Sequence, residues 1–96
     1  MKTVVLFGIE YSIKYSIRQF FIFEHLTKQR FEGKTLLNDY MLFYCNILAN
    51  NPACLIDFKQ FLEAVELDKS LYATFSELML QWANVNGQFE GEKKKS

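Results

Sequence analysis

The chain reads as an α+β domain that is predominantly α: an N-terminal β-hairpin packed on a four-helix domain. Three observations predict it. Residues 9–15 alternate apolar and polar positions with a period of two, apolar residues recur at helical spacing from residue 17 onward, and polar stops divide that helical region into four. Ninety-six residues suit one domain, expected over residues 1–89, with residues 90–96 as a flexible charged tail.

Each element has its own signals. Thr3-Val4-Val5-Leu6-Phe7 is β-branched and aromatic, Gly8 punctuates it, and Ile9, Tyr11, Ile13 and Tyr15 then alternate with Glu10, Ser12 and Lys14. This predicts a hairpin over residues 3–15 whose Ile9/Ile13 face packs on helices, because two strands alone are marginal in water. Ser16 and Gln19 have capping-box spacing, which predicts a first helix over 17–28 with Ile17, Phe20 and Phe21 inward and Phe23 on a flank. After Gly33, Leu36 to Ala49 is apolar round most of its circumference and so predicts a buried central helix. Asn50-Asn51-Pro52 stops it, through a left-handed Asn and a proline that cannot continue the helix. Asp57 and Gln60 form a second capping box, opening a helix over 58–66, and Asp68 is placed to cap a fourth over 69–85. The expected core includes Phe20, Phe21, Tyr40, Phe43, Ile47, Phe61, Leu62, Phe75 and Leu78.

Composition bounds the chemistry. Eleven basic and eleven acidic residues cancel, so the basic footprint of a nucleic-acid binder is absent from the chain as a whole. The charges are unevenly spread: Lys2, Lys14, Arg18, Lys28, Arg30 and Lys34 outweigh Glu10, Glu24 and Glu32 early on. Later, Asp57, Glu63, Glu66, Asp68 and Glu77 outweigh Lys59 and Lys69. That split could orient a partner or a second copy, or be a chance of surface composition. No apolar stretch reaches the ~20 residues a bilayer helix needs, and the N-terminus lacks the pattern of a signal peptide. Cys45 and Cys54 lack metal or redox spacing and read as reduced thiols, which fits a cytoplasmic protein.

No residue pattern declares catalysis, and no enzymatic activity, cofactor or metal is expected. His25 is the only histidine, with no second ligand at metal spacing and no glycine-rich nucleophile turn in the chain. Glu63 and Glu66 share a helix face beside Asp68, a pattern more typical of a solvated surface than of a desolvated acid–base pair. None of the four glycines opens a phosphate-binding loop. A helix-turn-helix could be drawn from the third and fourth helices, but its recognition helix would carry Glu77 and a single base, Lys69. What stands out is the aromatic content of ten Phe, five Tyr and one Trp, which serves cores and binding hot spots alike. Leu71, Phe75, Leu78 and Trp82 form a stripe that reads first as core. Trp82, in its last turn, also suits an interface anchor.

One segment carries a resemblance. Phe23-Glu24-His25-Leu26-Thr27-Lys28-Gln29-Arg30-Phe31-Glu32 resembles the F-E-x-L-T-G-x-x-F/L signature of tail assembly chaperones from long-tailed bacteriophages, with Lys28 where that family often has glycine. The likeness extends through Ile13 to Glu32, Leu36 to Tyr40, Asn46 to Pro52, Asp57 to Leu67 and the closing amphipathic helix, together covering about residues 9–86. It implies a chaperone in the host cytoplasm that holds the aggregation-prone tape measure protein and helps deliver tail tube subunits. Nucleic acid and membrane are not expected partners, and self-association is left open. In such systems a ribosomal slip often makes an extended product, and Lys93-Lys94-Lys95 is a peptide that an adenine-rich slippery run would encode. The partner-binding residues expected under this reading are Tyr72, Met79 and Trp82, with Glu63, Glu66 and Glu77 nearby to exclude wrong partners. The alternative is a small helical adaptor or regulatory module of a host or mobile element.

Overall fold

The alternating stretch forms the hairpin. In the computed structural model, which describes residues 2–81, β1 (Lys2–Leu6) pairs antiparallel with β2 (Ile9–Ile13), Leu6 opposite Ile9 and Lys2 opposite Ile13. Phe7 and Gly8 make the turn with φ of 52° and 78°, the pair of left-handed residues that matches the twist of a tight hairpin. Glycine adopts that conformation freely; Phe7 does so against its preference. Val4, Leu6, Tyr11 and Ile13 are buried on one face. Ile9 shares that face but is exposed, although Leu6 opposite it is buried; of the expected Ile9/Ile13 pair, only Ile13 packs inward.

Four helices follow: α1 (Arg18–Thr27), α2 (Leu36–Asn50), α3 (Phe58–Leu67), and α4, which begins at residue 70 and includes residue 81, the last described. Trp82 and the expected tail over residues 90–96 lie outside the described residues. The central stretch of α2 from Leu42 to Ile47 is buried, and β2, α1 and α3 all pack on it. Aromatic rings tie α2 to the later helices. Phe43 stacks on Phe75 at 4.8 Å, Phe75 meets Phe61 edge-on at 5.8 Å, and the Tyr44 hydroxyl donates to the Ile56 carbonyl at 2.7 Å. Much of the aromatic surplus is therefore core.

Three local expectations are corrected. The Ser16–Gln19 capping box does not form: Ile17 occupies the N-cap position without a side-chain cap, and Gln19 is fully buried with its Oε1 accepting from Asn46 Nδ2 at 2.6 Å. That turns α1 so that Phe23 is fully buried while Phe21 is 60% exposed, the reverse of the expected pair, and Phe20 is half-buried. Tyr40 and Leu62, also placed in the core, are half-buried as well. At the end of α2, Asn51 is not left-handed (φ −138°, ψ 79°). The asparagine amides instead reach across to the hairpin. Asn51 donates to the Ser12 carbonyl at 2.8 Å and accepts from the Ser12 N–H at 3.0 Å, while Asn46 and Asn50 both donate to the Lys14 carbonyl. The Asp57–Gln60 box forms as expected, with both reciprocal bonds present.

Candidate functional site

The expected partner-binding residues begin on α4. Asp68 starts that helix by accepting from the Ser70 N–H at 3.0 Å, which satisfies an unpaired donor of the first turn. The phase that follows buries Leu71, Phe75 and Leu78 and leaves Tyr72 41% exposed. The Tyr72 ring lies 5.6 Å from Tyr40 and 6.4 Å from Phe43, so it is braced by α2 rather than free in solvent. Met79, two turns further along the same face, is half-buried against the core. Trp82 lies outside the described residues.

The structure adds two residues to this surface. Leu36 and Leu37, at the start of α2, are each 61% exposed, and Leu36 lies one turn before Tyr40 on the same helix face. The apolar run made them look buried, but they occupy the first turn, beyond the length of helix that its neighbours cover. The available signal was Thr35, whose hydroxyl accepts from the Asn38 N–H at 3.1 Å and fixes where the helix begins. Leu36, Leu37, Tyr40 and Tyr72 thus offer apolar and aromatic groups from two helices, the composition of a binding surface. Burial raises the pKa of Tyr40, with Tyr72 adding to it, so the Tyr40 ring faces a partner as a neutral phenol at neutral pH. Asp39 precedes Tyr40 in sequence; desolvation raises its carboxyl pKa, and its buried Oδ1 has no partner among the described residues.

The acidic residues are dispersed. Glu63 and Glu66 are exposed on α3, and Glu77 is held by Lys2 at 3.0 Å, so it answers a charge of its own chain. His25 is exposed in the last turn of α1, and Cys45 is buried, which pushes its thiol up to about 12 and keeps it protonated. Among the described residues no three His, Cys, Asp or Glu side chains group as metal ligands, and no helix is long and apolar enough to cross a membrane. A shallow groove of ≈ 430 Å³ separates the hairpin from the α2–α3 loop, with Ile9, Tyr11, Pro52 and the almost fully exposed Leu55 along it.

Compared with models of protein families, with curated proteins and with solved structures, the chain matches none.

Proposed function

We propose that this chain is a phage tail assembly chaperone, which binds the tape measure protein, tail tube subunits or both through apolar helix surfaces during tail assembly. The observation that supports the reading is Lys28. The resemblance departs from the family signature there, lysine replacing the usual glycine, yet the backbone at Lys28 has φ 60°, ψ 23° and closes α1 as a left-handed C-cap, with its N–H bonded to the Glu24 carbonyl. That is the conformation for which helix ends recruit glycine. The departure is thus one of side chain, while the backbone keeps the geometry the signature's glycine would serve. Binding, not chemistry, is what the Leu36, Tyr40 and Tyr72 surface offers, and holding an exposed apolar helix of a client needs nothing more.

Coexpression with the tape measure protein of the same genome tests it. The expected result is a soluble complex, with retention falling about tenfold in a Leu36→Ala/Tyr72→Ala variant that still melts cooperatively, as expected of an interface anchor. If the tape measure protein stays equally insoluble and no complex forms, the adaptor reading replaces this one.

A further inference from the structure

The two outer edges of the hairpin are treated differently, and the difference points to a partner. Leu6 and Ile9 flank a tight turn, so Lys2, Val4 and Leu6 bond to β2, while Thr3 and Val5 aim their N–H and C=O groups outward. On β2 the outward groups of Ser12 and the Lys14 carbonyl are occupied by the Asn51, Asn46 and Asn50 amides, and the one outward position left without a bond among the described residues, Glu10, is acidic. On β1, no described residue bonds to the outward groups of Thr3 or Val5. Proteins guard such edges with charge, proline or a bulge, and Thr3 to Phe7 has none of these. Val5 and Phe7, moreover, are 54% and 52% exposed.

We propose that this edge pairs with β1 of a second copy, antiparallel about a two-fold axis, to make a continuous sheet in the order β2–β1–β1–β2. The register follows from the backbone. Centring on Val4 sets Thr3 opposite Val5 of the second copy, so the unbonded groups of both strands meet. Centring on Val5 would need Phe7, whose φ of 52° takes it out of extended geometry, to pair with Thr3. Charge admits the pairing: Lys2, the one ionised side chain of β1, falls opposite Leu6 of the second copy and is already answered by Glu77. No like charges meet, and the β-branched Thr3/Val5 pair suits adjacent strands. A five-residue edge is smaller than the ~1,200 Å² of a stable complex, so the dimer is weak, with Kd on the order of 10–100 μM.

Sedimentation of the full chain across that concentration range, with amide exchange at Thr3 and Val5, tests this. A monomer–dimer equilibrium is expected, with protection at both amides rising with concentration and none gained at Glu10. Val5→Lys should weaken dimerisation at least tenfold. Val5→Pro should do the same while sparing the hairpin's own ladder, because the N–H it removes points outward; circular dichroism verifies its folding. Glu10→Lys, on the same sheet face but the other strand, should leave the dimer intact. A chain that is monomeric at 1 mM overturns the proposal. So does a dimer that survives Val5→Lys, or protection of Thr3 and Val5 that is independent of concentration, which would mean the chain covers its own edge.

Discussion

Ser16-x-x-Gln19 and Asp57-x-x-Gln60 are two copies of one local signal, and only the second acts as one. At Asp57 the carboxylate accepts from the Gln60 N–H at 2.8 Å, and the Gln60 amide reaches back to the Asp57 N–H at 3.0 Å, with Asp57 and Gln60 both exposed. Nothing buried competes for either side chain. At the start of α1, by contrast, Gln19 points into the interior and its oxygen is taken by Asn46 of α2. Ser16 Oγ is left with a long 3.3 Å contact from the Arg18 N–H. A capping motif therefore decides local geometry where solvent is the only alternative partner, and loses where a buried amide must be satisfied.

The largest test of that contrast is the orientation of α1. If Asn46 sets the helix phase through Gln19, Phe23→Ala removes a fully buried ring and should lower unfolding free energy by ~3–5 kcal/mol. Phe21→Ala should change it by less than ~1 kcal/mol. Chemical denaturation of the two variants checks this, and equal effects would mean the helix phase is not the one described. Next in size is the buried pair itself. Asn46→Ala leaves Gln19 Oε1 without its donor and should cost about 2–3 kcal/mol. Gln19 Nε2 and Asn46 Oδ1 already lack partners among the described residues, so a Gln19→Met/Asn46→Leu double variant should recover part of that loss.

The two caps come third. Asp57→Ala should cost ~1 kcal/mol, while Ser16→Ala should stay within about 0.5 kcal/mol, although the two motifs look alike in sequence. Thermal melts of both variants give the comparison directly. A Ser16→Ala loss as large as that of Asp57→Ala would restore the first box.

The same contrast explains what the sequence made legible. Strand alternation, the glycine turn, the stops at Asn50–Pro52 and the Asp57 and Asp68 caps are local, and each marks its element within a residue or two. The phase of α1 was not legible. Phe20, Phe21, Ile22 and Phe23 are consecutive and point right round the helix, so periodicity alone cannot choose which ring goes in. Nor were the asparagines, whose value as chain stops hides the amides that hold β2. At the candidate surface, Tyr72 could be picked out on an amphipathic helix, while Leu36 and Leu37 disappeared into an apolar run whose first turn its neighbours leave uncovered.

The smallest expected effect lies at the other end of α1, where local geometry again goes uncontested. Lys28 is exposed and left-handed, a conformation that crowds Cβ against the following carbonyl and costs a non-glycine residue roughly 1 kcal/mol. Its N–H accounts for one contact of the cap, to the Glu24 carbonyl at 2.8 Å, and glycine would keep that bond. Glycine also makes the unfolded chain more flexible, which offsets part of the gain. Lys28→Gly should therefore stabilise the protein by ~0.5 kcal/mol, and Lys28→Val, β-branched and poorly suited to positive φ, should destabilise it. Paired melts of the two variants decide the matter. If glycine brings no gain and valine no loss, Lys28 is not held in the left-handed region, and the backbone link between this helix exit and the glycine of the chaperone signature is lost.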